Sequence, residues 1–455
     1  MTFKRTLLAA AITGATLAAG TAHATNGYFS HGFGVKSMGM AGGGVAFAND
    51  NAMIMATNPA GITDVSNQVH GDLSWFAPDR GYSFSTKAGG MEVAAGSGDS
   101  DRDAFYIPSL GFAYALTDRD SVGIAVYGNG GMNTKFPADS GNYLGDPRIP
   151  ADGAYGDGVA GVDLEQMFIS PTYARTFMED KLSVGVSALI VRQKFSAKGL
   201  GNFNQTGGVA QAMGLPSFSV DGDNMTNRGH DHAWGYGGKI GVTFKPTDMI
   251  TLGASYQTKI RTEEFEKYSG LFAEGGDFDI PSTWAVGLAA DVTDDVTVTF
   301  DYQRINYGDI KSISNPSTEY LMDFMMAGEM DKRLGGSNGA GFGWDDINVY
   351  KLGVQWQATP QLQLRAGWNR GDNPISSEDA LFNTIAPGVI ENHYTAGFSY
   401  AFNQNHEIHG AFMYAPEVDV KGKNDLLAGL QPGVEQDLEI HMKQYEATIG
   451  YTYKF

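Results

Sequence analysis

The sequence predicts an all-β protein, a transmembrane antiparallel β-barrel of about 14 strands with an N-terminal plug, or hatch, in its lumen. Three observations lead there. Apolar and polar residues alternate over many short segments, and very short turns alternate with long polar connections. No stretch beyond the N-terminus approaches the roughly 18 apolar residues that a spanning helix needs.

The N-terminus reads as a targeting segment. Lys4 and Arg5 precede an almost uncharged run over residues 7–19, and Ala22, His23 and Ala24 form a small-residue cleavage site. Residues 1–24 are expected to be a signal peptide, residues 25–66 the hatch, and residues 67–455 the barrel with its long extracellular loops. Export leads to an oxidising compartment, yet the 455 residues include no Cys. Stability must come from elsewhere, and a closed hydrogen-bonded sheet supplies it. The expected location is the outer membrane of a Gram-negative cell.

Composition agrees. The 61 Gly and 12% aromatic residues suit short twisted strands and tight turns better than helices. A formal charge of −20 argues against nucleic acid as a ligand. No linker-like break divides the chain into soluble domains.

Alternation is clearest at the C-terminus. Tyr445, Ala447, Ile449, Tyr451, Tyr453 and Phe455 share one face, and Gln444, Glu446, Thr448, Gly450, Thr452 and Lys454 the other. Val296, Val298, Phe300 and Tyr302 repeat the pattern, as do Leu362, Leu364, Ala366 and Trp368. A sandwich would alternate too, so spacing decides. Short polar turns fall at 117–120, 178–181, 246–248, 293–295, 358–361 and 403–405. Long Gly/Asp/Asn-rich connections fall at 88–101, 137–161, 199–231, 264–280, 313–344, 372–389 and 422–438. That gives an even number of strands with both termini on the short-turn side, the organisation of bacterial barrels. Tyr302, Tyr307, Trp356, Trp368, Tyr451, Tyr453 and Phe455 lie near strand ends, as interfacial girdles require.

Residues 25–66 do not alternate. They are rich in Gly, Ala and Met, neither charged nor polar enough to read as disordered. With both termini on one side, this segment can fold back into the lumen.

These residues resemble the FadL/TodX-type family of outer-membrane transporters for long-chain fatty acids and hydrocarbons. The resemblance rests on Gly39, Ala41, Gly44, Asp50 and Ala52, leading to Asn58, Pro59 and Ala60 and then Ile62 and Thr63. It continues through Ile107 and Pro108, Gly123, residues 129–136, Asp163 to Glu165, Pro281 and Trp284. It implies a 14-stranded barrel plugged by a hatch, with Asn58, Pro59 and Ala60 anchoring that hatch. It also implies a lateral gate where the third barrel strand kinks, at Gly128, Asn129, Gly130 and Gly131. Glycines in a strand weaken pairing and mark a bulge or a close approach.

The candidate substrate-binding residues are Tyr28 and Phe29 at the start of the hatch, with Leu321, Phe324, Met325 and Met326 in the fifth long loop and Met213 and Leu215 in the third. Leu321, Phe324, Met325 and Gly328 share one helical face, and Met-rich apolar surface adapts to varied hydrophobic ligands. Arg192, Lys194 and Lys198 are candidate contacts to anionic headgroups, but Arg192 and Lys194 share the parity of outward residues and can face lipopolysaccharide phosphates. No Arg or Lys aligns cleanly with the pair that holds the carboxylate in fatty acid carriers of the family. That departure shifts the expected ligand toward a neutral hydrocarbon.

The expected function is therefore passive transport of hydrophobic small molecules, with no cofactor and no catalytic or metal-ligating set. The expected partners are the hydrophobic solute, outer-membrane lipid and lipopolysaccharide, and the outer-membrane assembly machinery, with the barrel itself a monomer. A general porin for polar solutes and a surface adhesin are the competing readings.

Overall fold

A segment that alternates apolar and polar side chains becomes a strand with one face for lipid and one for the lumen. The computed structural model describes residues 26–140, 153–204 and 216–455. The expected signal peptide, Met213 and Leu215 lie outside these described residues.

In chain order the strands are β1 (Gln68–Ala88), β2 (Met91–Asp99), β3 (Phe105–Ala115), β4 (Asp120–Asn133), β5 (Gly161–Phe177), β6 (Leu182–Lys198), β7 (Asp231–Thr247), β8 (Ile250–Gln257), β9 (Arg261–Thr262), β10 (Thr283–Thr293), β11 (Val296–Ile305), β12 (Ile347–Gln357), β13 (Leu362–Gly371), β14 (Asn392–Ala401), β15 (His406–Lys423) and β16 (Val434–Lys454). Each pairs antiparallel with its neighbours, and β1 pairs β16 from Gln68 opposite Lys454 to Ala88 opposite Val434. That seam closes the sheet, so no edge runs the length of the wall. Fourteen strands form the barrel, and β2 and β9 are additions to it.

The short turns fall at or within a residue or two of the positions that spacing assigns them. The first long connection does not. Residues 88–101 were expected to be a loop, but most of them form β2, which returns from a tight turn at Gly89 and Gly90 to pair with the upper half of β1. Both glycines adopt positive φ, 59° and 81°, as a two-residue hairpin turn requires. At 21 residues, β1 and β16 are about twice as long as a tilted strand needs to cross a bilayer. Their upper halves exceed what a crossing needs, and there β2 covers the flank of β1.

Side-chain direction follows the alternation. On β16, Tyr445, Ile449, Tyr451 and Tyr453 are exposed while Gln444, Glu446, Thr448 and Thr452 are buried. Outward aromatics gather in two rows. Trp284, Tyr302 and Tyr350 pack in sequence, rings tilted, at 5.2 and 5.4 Å near the long-loop end. Phe112, Tyr114 and Phe455 associate at 6.4 Å near the short-turn end. Tyr307 is a correction to the girdle expected from sequence. It lies two residues past the end of β11, on a 3-10 turn (Tyr307–Asp309) that swings it inward, where it is fully buried. Strand parity does not carry past the end of a strand.

A charge on the lipid face has no hydration and no partner. Leu352 lies midway along β12 and points outward. Leu352→Arg is expected to destabilise the barrel by about 2–4 kcal/mol in equilibrium unfolding from lipid vesicles, with Leu352→Ala costing clearly less. Equal effects would mean that this face does not meet lipid.

Candidate functional site

Residues 26–62 lie against inward side chains of the wall, and nearly all of them are shielded from solvent. A chain that crosses a barrel without joining its sheet must find partners for its amides elsewhere. The wall supplies them from inward side chains. Asp301 on β11 accepts the Gly44 and Val45 N–H groups at 2.6 and 3.1 Å. Lys351 on β12 donates to the carbonyls of His31 and Gly42 at 3.0 and 3.4 Å, and Lys239 on β7 donates to the Ala56 carbonyl. Thr395 on β14 accepts from Ala41 at 2.9 Å. Near the short-turn end, Lys36 pairs with Glu407 at 3.2 Å and Asp50 with Lys454 at 2.6 Å. Burial pulls the Lys36 ammonium down to about 8, against the opposing field of Glu407.

Asn58 uses its whole carboxamide. Its Oδ1 accepts from Ala60 N–H at 3.1 Å and caps the short helix Pro59–Asp64, which begins with proline as helix N-termini favour. Its Nδ2 donates to Val45 O at 2.7 Å and to Val242 O of β7 at 3.1 Å. One side chain therefore ties two parts of the luminal segment to each other and to the wall. Glycines make the approach close enough: Gly185 faces Pro59 and Ala60, Gly241 faces Asn58, Gly253 faces Val45, and Gly367 faces Met40. A Cβ at any of these would overlap the luminal segment.

The tip of the segment, residues 26–30, reaches β4. Gly131 N donates to Tyr28 O at 3.1 Å and Ser30 N to Asn129 O at 2.8 Å. Asn129 is the extra residue of a β-bulge between Gly128 and Gly130, and its Nδ2 donates to Gln166 on β5 at 3.1 Å. Gly130 packs directly under the Tyr28 carbonyl, where no Cβ fits. The four residues expected to form the gate thus carry the bulge, and their backbone pairs with the luminal tip.

Beside them the wall is incomplete. β3 and β4 pair only between Ala115 opposite Ser121 and Leu110 opposite Val126. Above that, β3 from Phe105 to Ser109 remains paired with β1, while β4 from Tyr127 to Asn133 keeps β5 as its only partner strand and meets the luminal tip on its other edge. Pro108, which has no N–H to donate, sits on the β3 side of this gap. Higher still the wall closes again, with Asp101 N donating to Lys135 O at 2.8 Å. Phe105, Ile107, Tyr127 and Met132 are buried along the two margins.

An aromatic cluster roofs the tip. Tyr28 packs against Phe29, Phe278, Tyr307 and Trp344 at centroid distances of 5.1 to 6.3 Å. Tyr307 Oη accepts from Tyr28 N and donates to Asn26 O. Phe278 continues to Phe272 and Phe195. Its neighbour Asp277, in an outer loop, is raised to about 6 by burial and then by Asp279. Beside Phe29 a small cavity touches Phe33, Asn129, Gln257, Lys239 and Lys351.

The sequence-derived candidates are divided among these features. Tyr28 and Phe29 lie in the cluster. Leu321 and Phe324, on the loop helix Thr318–Ala327, point into the protein and are buried, with Phe324 against Phe218 at 5.9 Å. Met325 is half-buried and Met326 is 78% exposed. Arg192, Lys194 and Lys198 project away from the lumen, and Lys194 is held by Glu165 at 2.7 Å. Sequence reading missed Phe195, Phe272, Phe278 and Trp344 as luminal aromatics, and Asp301, Lys239 and Lys351 as anchors. A charged residue at an inward position of a strand was the available signal.

A family model described as outer membrane protein transport protein (OMPP1/FadL/TodX) matches residues 13–455. The chain belongs to this family. It is therefore an outer-membrane transport protein and not an enzyme. Outer membrane protein P1 of Haemophilus influenzae is 21% identical over 92% of this chain and 90% of its own length. The toluene transporter TodX of P. putida superposes with a TM-score of 0.65 at 18% identity, over 93% of this chain and 99% of its own. A Pseudomonas aeruginosa FadL homologue superposes at 0.64 and 15% identity, over 94% and 100%. Both share the barrel fold.

The glycine contacts separate the segment's seat from the barrel's own stability. Gly241→Val is expected to leave a heat-modifiable barrel in which residues 26–66 become accessible to protease. Gly238→Val, on the opposite face of β7 with only one distant contact, should change nothing. Equal protection in both variants would show that close approach at Gly241 does not seat the segment.

Proposed function

We propose that this barrel is a passive channel for hydrophobic small molecules, either long-chain fatty acids or aliphatic and aromatic hydrocarbons. The solute is captured among the outer loops, where Met326 and Met330 expose apolar surface. It passes into the aromatic cluster around Tyr28, displaces the tip of the hatch, and leaves sideways through the gap between β3 and β4. The interrupted β3–β4 pairing is the observation that carries this reading. It leaves β3 and β4 unpaired at the height of the hatch tip, and the tip itself pairs with the bulged strand. The toluene transporter of the same fold supports the hydrophobic class of solute.

Energetics favour a sideways exit. An axial route leads past Asp301, Lys239, Lys351 and other polar wall groups, and then into water. Each CH₂ exposed there costs about 0.8 kcal/mol, whereas entry into the bilayer costs nothing comparable. Release of the tip breaks neutral hydrogen bonds and aromatic contacts, while the ion pairs of Lys36 and Asp50 hold the rest in place.

Restoring strand formers on both margins tests the exit. Pro108→Val with Gly128→Val, leaving Gly130 under the Tyr28 carbonyl, is expected to close the gap and cut uptake at least severalfold, with binding at the outer loops retained. Undiminished uptake in a correctly folded double variant would rule out lateral exit and leave the axial route.

The charges bear on the headgroup. Lys239, Lys351 and Arg365 already donate to the luminal segment or the wall, so a carboxylate gains little from them. A fatty acid and its methyl ester are expected to differ by less than about 2 kcal/mol in one binding assay. A larger loss for the ester would establish a carboxylate site.

A further inference from the structure

At the short-turn end of the lumen, five adjacent strands contribute one continuous file of polar side chains. Arg365 Nη1 on β13 lies 2.8 Å from Ser399 Oγ on β14, which lies 2.7 Å from His409 Nδ1 on β15. His409 Nε2 lies 2.8 Å from Thr452 Oγ1 on β16, which lies 2.8 Å from His70 Nδ1 on β1. His70 Nε2 ends the file 2.9 Å from Asp72 Oδ2. All six side chains are buried. Both ends touch the luminal segment: Asp72 Oδ2 accepts the Val35 N–H at 3.2 Å, and Arg365 Nη2 reaches Asn49 Oδ1 at 3.5 Å.

With both imidazoles neutral, the chemistry of the two ends fixes every proton between them. A carboxylate only accepts, so His70 carries its proton on Nε2. The Nδ1 of neutral His70 must then accept, which makes Thr452 the donor. Having spent its single proton, Thr452 accepts from His409 Nε2–H. His409 Nδ1 therefore accepts from Ser399, whose oxygen in turn accepts from the Arg365 guanidinium, which only donates. Every hydrogen bond points from the cation to the anion, and bonds aligned in this way polarise and strengthen one another in a low-dielectric interior.

We propose that Arg365, Ser399, His409, Thr452, His70 and Asp72 form a directional hydrogen-bond chain that clasps the barrel seam to the luminal segment and seals this end of the lumen against ions. The chain crosses the β1–β16 seam through Thr452, so it is complete only when the barrel is closed. It also needs both imidazoles neutral. His409 faces Arg365, Lys36, Lys454 and His70, with Glu407 at 4.0 Å, and His70 faces Asp72 and His409. The clasp does not depend on which solute the channel carries.

The imidazole nitrogens report the chain directly. In ¹⁵N-histidine spectra of the wild-type protein in lipid nanodiscs at neutral pH, His70 and His409 are expected to be neutral and protonated on Nε2. An Nδ1–H tautomer or an imidazolium at either position overturns the chain, and this measurement needs no variant to fold. Thr452→Val removes the central hydroxyl with little change of shape. It should shift the signals of both histidines and raise ion conductance severalfold in planar bilayers. Thr448→Val, on the same face of β16 but bonded to Ser74 and Met38, should do neither. Unshifted histidines in Thr452→Val would refute the chain, and unchanged conductance would refute its sealing role.

Discussion

A polypeptide that crosses the lumen of a barrel without becoming a strand has amides and carbonyls that neither sheet nor solvent satisfies. An unpaired backbone group in such an interior costs about as much as the lost hydrogen bond. Much of the wall's inner surface answers this demand. Asp301 takes two consecutive N–H groups, Lys351 two carbonyls and Lys239 one, and Asn58 reaches back from the segment to a strand carbonyl. Charged side chains are well suited here, because a hydrogen bond to an ion is stronger than one between neutral groups. Removing one of these side chains would leave the backbone groups it serves buried and unpaired.

The same demand explains where glycine sits. Side chains on the wall can reach the segment's backbone only if neighbouring positions leave room for it to come close. Gly185 and Gly241 are opposite one another on β6 and β7 and receive the Asn58 turn, and Gly253 and Gly287 are opposite one another on β8 and β10 beneath Val45. The wall thus alternates between positions that grip and positions that yield, while its outward face keeps the apolar residues lipid requires. Strand parity lets both faces be built from one sequence without compromise.

Attachment is uneven along the segment. The portion near the short-turn end is held by ions and by the glycine seats, whereas residues 26–30 are held by four neutral backbone and phenol contacts and by tilted aromatic rings. The weaker end lies next to the only part of β4 that has lost its β3 partner among the described residues. Wall gap, bulge, luminal tip and aromatic roof consequently meet at one height in the barrel. A local rearrangement there leaves the seat and the seam intact.

Local sequence reports which face a residue takes within its own element. Alternation at residues 444–455, the short turns and the glycine-rich leader to Asn58 were therefore enough to establish a barrel of about 14 strands, its lipid face and the family. The outward course of Arg192 and Lys194 followed from parity alone. Period-two reading failed where a strand ends or a hairpin folds back, as at Tyr307 and β2. It was silent on partners. Tyr28 meets Tyr307 across 279 residues, and Lys351 meets His31 across 320. Parity can say that Asp301 and Lys351 point inward, but only closure of the sheet around the segment decides that they meet its backbone, because those contacts form between elements that share no local pattern.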